Sequence, residues 1–121
     1  MDLSHVSIFD DTMSALPKAL KSLLLVNNSE ITDDGLKHIG ERCHFLENIT
    51  VSYNDKITEK GVRYIAFGCS ELVYAEITNC FQIDDHEPFI DLIHRTNIRT
   101  KENLKIDWVL KSRLEHALLL S

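Results

Sequence analysis

ITDDGLKHIGERC, residues 31–43, returns almost unchanged as ITEKGVRYIAFGC, residues 57–69, at an offset of 26 residues. Self-similarity at a fixed period of roughly 20–50 residues marks a chain built by stacking one small unit. The register therefore has to extend beyond the quoted stretches, and it does. Leu20 falls on Leu46 and Leu72, Leu23 on Ile49 and Ala75, Leu25 on Val51 and Ile77, and Asn28 on Asn54 and Cys80. It continues through Ile31, Ile57 and Ile83.

Each unit changes its period partway through. In LKSLLLVNN, LENITVSYN and LVYAEITNC, starting at Leu20, Leu46 and Leu72, apolar residues at the fourth and sixth positions alternate as in a short strand with one buried face. Asn or Cys at the ninth position suits the turn that ends the strand, because its side chain can reach backbone groups left unpaired there. Thr32 then precedes Leu36 and Ile39, and Thr58 precedes Val62 and Ile65, at helical spacing. Thr followed by Asp or Glu is a good helix N-cap, with the acid at the positive end of the dipole. Each unit thus reads strand, turn, helix, return.

Residues 20–46, LKSLLLVNNSEITDDGLKHIGERCHFL, resemble the cysteine-containing leucine-rich repeats almost throughout, and the copy ending at Leu72 departs only by Val62 for Leu and Glu59 for Asp. The resemblance implies an α/β leucine-rich-repeat solenoid, with a short parallel sheet on the concave side and helices on the convex side. It implies one such domain over residues 1–121: a divergent N-terminal repeat or cap at 1–19, repeats at 20–45, 46–71 and 72–97, and a C-terminal strand and capping helix at 98–121. In the N-terminal part Leu3, Val6 and Ile8 are strand positions and Met13 and Leu16 helix positions. In the last part NLKIDW, from Asn103, is a final strand, for about five in all. A helix restarting at Pro88 should bury Phe89, Leu92 and Ile93.

Such repeats are best known from F-box/leucine-rich-repeat proteins, the substrate receptors of cullin-RING ubiquitin ligases, and from relatives such as the antagonist of mitotic exit network protein. The 19 residues before Leu20 read as a repeat, so no F-box is expected in this chain. Similar repeats occur in ATP synthase subunit s, which makes a small mitochondrial assembly factor the alternative reading.

Composition narrows the partners. A formal charge of -6 argues against a general nucleic-acid binder, which would carry a basic excess. Residues 98–121 depart from that balance, with five Lys/Arg against three Asp/Glu. No apolar run approaches the roughly 18 residues of a membrane span, and the N-terminus has neither a basic leader nor a transit-peptide composition. A cytoplasmic or nuclear location is expected, a mitochondrial one less so, and the sequons at Asn27 and Asn48 carry no weight without secretion. Cys43, Cys69 and Cys80 are spaced for neither a disulfide framework nor a zinc site. Cys43 and Cys69, at helix ends, are read as packing residues. Gly35 and Gly61 are read as allowing close helix-to-sheet contact.

No nucleophile, base and orienting group recur together, so no enzymatic activity, cofactor or metal is expected. The residues between the buried strand positions are the freest in chemical type: Ser22, Leu24 and Val26, then Asn48, Thr50 and Ser52, then Tyr74, Glu76 and Thr78. They are expected to face the open surface and bind a protein partner, with Tyr74 as the principal anchor and Tyr53, at a strand exit, as the second. The terminal EHALLLS leaves three consecutive leucines that either cap the stack or support self-association.

Overall fold

The alternation in each unit is realised as three five-residue strands in one register. A computed structural model, describing residues 1–120, places β1 at Ser22–Val26, β2 at Asn48–Ser52 and β3 at Tyr74–Thr78, with a shorter β4 at Leu104–Ile106. They form one parallel sheet in the order β1-β2-β3-β4. Pairing follows the period of 26: Leu23 lies opposite Ile49 and Ile49 opposite Ala75, while Leu25 lies opposite Val51 and Val51 opposite Ile77.

Between strands run α1 (Asp10–Met13), α2 (Asp33–Arg42), α3 (Glu59–Gly68) and α4 (Glu87–Arg95), and α5 (Trp108–Leu120) follows β4. Consecutive helices pack on one another. This is what sequential parallel strands with crossovers of one hand require, since all the helices then fall beneath the same face. Leu23, Leu25, Ile49, Val51, Ala75 and Ile77 point into that side and join Leu36, Ile39, Val62, Ile65, Phe89 and Leu92 in one continuous core. The Thr32 and Thr58 hydroxyls accept from the amides of Asp34 and Lys60, capping α2 and α3 as expected. In α4 Pro88 lies in the first turn and Phe89 and Leu92 are buried, whereas Ile93 is only half-buried.

The recurring turn residues form two ladders from unit to unit. In one, the buried Asn54 side chain donates to the carbonyls of Leu25 and Ser52 and accepts the Asn28 amide. Asn28 donates in the same way one unit earlier, to the carbonyls of Leu3 and Val6, while its own Oδ1 is buried with no hydrogen-bond partner among the described residues. In the other, the carboxylate of Asp10 takes the amide and hydroxyl of Thr32, and that of Asp33 takes those of Thr58. A Cβ on Gly35 would meet Asp10 Oδ1 at 2.5 Å, and one on Gly61 would meet Asp33 Oδ1 at 2.5 Å. These glycines therefore make room for the preceding unit's carboxylate, and their role in helix-to-sheet contact is corrected accordingly.

The ends differ from expectation in detail. Residues 1–5 do run along β1, with the amides of Leu3 and His5 donating to the carbonyls of Leu24 and Val26. They form an isolated bridge and not a full strand, so the sheet holds four strands and not five. Asp10–Met13 is a single turn of helix, and Leu16 is buried beyond its end. Among the described residues no helix is long and apolar enough to cross a membrane.

Candidate functional site

The face of the sheet away from the helices is built by the residues that alternate with the core. The register sorts them into rows across strands about 4.8 Å apart. Ser22, Asn48 and Tyr74 form one row, Leu24, Thr50, Glu76 and Lys105 the middle row, and Val26, Ser52 and Thr78 the third. Nine of the ten residues singled out from the sequence are exposed or half-buried here or at the adjoining strand exit. The exception is Ser52, which is 3% exposed. Its hydroxyl and that of Thr78 hydrogen-bond at 2.8 Å, so Ser52 stitches β2 to β3 and cannot present itself to a partner.

The middle row runs from apolar to charged. Leu24 is 37% exposed at the β1 end, bordered by the N-terminal segment. At the other end the Tyr74 hydroxyl donates to Glu76 Oε1 at 2.9 Å, and the Lys105 ammonium lies 5.9 Å from the centre of the Tyr74 ring. Burial pushes the Tyr74 phenol up, the hydrogen bond and charge of Glu76 push it further, and Lys105 opposes them. The phenol therefore stays a neutral donor held by an acid in its own strand, which ties the hydroxyl end of the ring to β3.

Tyr53 stands apart from this cluster. It follows β2 with φ of 57°, in the left-handed region, where the equivalent residues of the neighbouring units are Asn27 and Asn79. Asn tolerates that backbone and Tyr does not, at a cost of about 1 kcal/mol. Its side chain is 53% exposed and packs little. After β3 the ladder ends differently: the Asn79 amide donates to both oxygens of the Asp107 carboxylate at 3.0 Å, where a further unit would offer a backbone carbonyl.

Lys105 and Asp107 belong to this surface and were not among the sequence candidates. The signal was there: Leu104, Lys105 and Ile106 repeat the in-out-in alternation of Ala75, Glu76 and Ile77. The three cysteines lie in the core, where burial pushes the Cys43 thiol up, the Cys69 thiol up to about 12 and the Cys80 thiol to about 11. Among the described residues no three His, Cys, Asp or Glu gather to hold a metal ion. What the face offers is a strip of adaptable polar groups with one fixed aromatic and flanking charges of both signs. No protein-family model matches the chain.

Proposed function

We propose that the chain is a leucine-rich-repeat solenoid acting as a protein-recognition module, related to the repeat region of ubiquitin-ligase substrate receptors, and that the open face of the sheet is its binding surface. The observation that carries the proposal is the Tyr74–Glu76–Lys105 cluster. It places a rigid aromatic, an acid and a base within one short stretch of exposed sheet. The core does not need these side chains, since the positions that fill it are Ala75, Ile77, Leu104 and Ile106. Aromatic side chains fixed before binding lose little entropy on docking and dominate interface energetics. The repeat pattern of residues 20–72 supports the family part of the reading.

The test is affinity capture with the wild-type chain and with a Tyr74→Ala, Glu76→Arg double variant shown to be folded by circular dichroism. Loss of ligase components or their substrates from the variant is the expected result. Retention of every captured protein would place binding elsewhere. Recovery of respiratory-complex subunits instead would move the assignment to the assembly-factor class.

A further inference from the structure

The sheet's two edges are not alike. Along β1 the chain's own residues 1–5 supply hydrogen bonds at Met1, Leu3 and His5. β4 is the terminal strand at the other side and pairs only with β3, as Ala75 to Leu104, Glu76 to Lys105 and Ile77 to Ile106. Among the described residues no further strand meets its outer edge. An unpaired edge of this kind is a template for another extended chain.

Beside that edge the core is also left open. α5 buries only Leu110 and Leu114. Between it, α4 and β4 lies a cavity of about 210 Å³, lined mainly by Ile93, Ile98, Leu104, Ile106, Leu114 and Leu118. Aliphatic cavities of about 150 Å³ already accept a small apolar ligand. Lys111 lines both this cavity and a shallower groove that continues along β4 past Lys105. Among the described residues neither Lys105 nor Lys111 enters an ion pair. Lys105, Lys111 and Arg99 share the lining of these two openings with Glu102 and Glu115, a slight cationic excess in a chain of net charge -6.

We propose that the outer edge of β4 binds an extended segment of a partner protein with the pattern apolar–acidic–apolar, which adds to the sheet as a further strand. Backbone hydrogen bonds to β4 supply affinity, and alternating side chains supply selectivity. The two apolar residues share the side of Leu104 and Ile106 and enter the cavity. The acidic residue between them shares the side of Lys105. β3 already displays this complement on the other side of β4, as Ala75, Glu76 and Ile77. This edge adjoins the open face and shares Lys105 with it, but the inference does not rest on the function proposed for that face, which the Tyr74→Ala, Glu76→Arg variant tests separately.

The experiment titrates the full chain into a fluorescently labelled, capped peptide with Ile-Glu-Ile at its centre, flanked by Gly and Ser, and follows anisotropy. Saturable binding is expected. N-methylation of the central amides should weaken it at least tenfold, and so should Glu→Lys in the peptide. The Lys105→Glu variant should recover the Lys peptide and reject the Glu peptide. Absence of saturation at millimolar protein would overturn the proposal, as would equal binding of the N-methylated peptide or failure of the charge swap. Light scattering that shows an oligomer dissolved by the peptide would assign the edge to a second copy of this chain and overturn it equally.

Discussion

Asp33 Oδ1 lies 3.1 Å from the Gly61 amide nitrogen, and that contact explains why the residue at 61 has no side chain. An added Cβ would sit 2.5 Å from the same oxygen and 2.7 Å from Leu36 Cδ1. Helix propensity alone favours Gly61→Ala by about 1 kcal/mol. The steric conflict works against it, since overpacking of a filled site costs about 1–3 kcal/mol. The variant should therefore be less stable by about 1 kcal/mol in urea denaturation. Adding Asp33→Ala should cost less than the sum of the two single changes, because each removes the other's partner. A Gly61→Ala chain more stable than wild type would refute this account.

The same ladder changes its chemistry one unit later. Glu59 stands where Asp33 stood, and Glu87 occupies the position of the glycine. The longer acid reaches the Asp84 and Asp85 amides at 2.9 and 3.1 Å. Burial raises the Glu59 pKa, but the amides of Asp84, of Glu59 itself and of Asp85 outweigh it and hold the carboxyl below 4.5. A depressed folded-state pKa means the contribution is complete above 4.5 and is lost as the pH falls below it. Glu59→Gln should thus lower stability at pH 7 and flatten the loss as the pH falls below 4.5. If denaturation midpoints of variant and wild type fall in parallel over that range, Glu59 is not linked to folding.

Much of this was legible because the repeat is read twice. Strand, cap and helix positions recur at 26 residues, so each assignment in residues 20–46 was checked against residues 46–72. The terminal unit on each side had no such check. The N-terminal unit pairs at an offset of 22, Asp2 to Leu24, and β4 pairs at 29, Ala75 to Leu104. The sequence places the first strand at Leu3, Val6 and Ile8, whereas the pairing lies at Asp2, and it places the last strand at NLKIDW, around Leu104–Ile106, without carrying Lys105 to the open face. Ser52 was misread for another reason: alternation gives its side of the sheet but not the Thr78 hydroxyl that covers it. The carboxylate beside Gly61 comes from 28 residues away, and no local pattern shows it. At the C-terminus, Leu118 packs against the core while Leu119 and Leu120 remain 84% and 77% exposed, so the leucine run caps the stack only in part.

Asn54 should be the costliest single polar residue to remove. Its side chain meets two buried carbonyls and one buried amide, at Leu25, Ser52 and Asn28. An orphaned buried group costs about 1–3 kcal/mol. The Ser52 carbonyl keeps the Asn27 amide, so Asn54→Ala should lose about 2 kcal/mol or more in chemical denaturation. Cys80 holds the equivalent place with weaker sulfur contacts to Val51 and Thr78 at 3.7 and 3.6 Å. Cys80→Asn should remain within about 1 kcal/mol of wild type, since the amide finds the same carbonyls. A large loss for Cys80→Asn together with a small one for Asn54→Ala would mean that the two positions are not equivalent rungs.

Tyr53 poses the opposite case, a residue that folding alone would replace. Its φ of 57° strains a tyrosine where Asn27 and Asn79 rest easily. With the ring 53% exposed, little packing is lost on substitution. Tyr53→Asn should accordingly raise stability by about 0.5–1 kcal/mol, or a few degrees in Tm for a domain of this size, by differential scanning calorimetry. Strain kept at an exposed aromatic implies a use outside folding. The same variant should lose captured partners in part, less than Tyr74→Ala does, because Tyr53 lies at the strand exit and Tyr74 within the sheet. A gain in stability with capture unchanged would remove Tyr53 from the proposed binding surface and leave Tyr74 as its proposed anchor. A loss of stability would mean the ring makes contacts that outweigh its backbone strain.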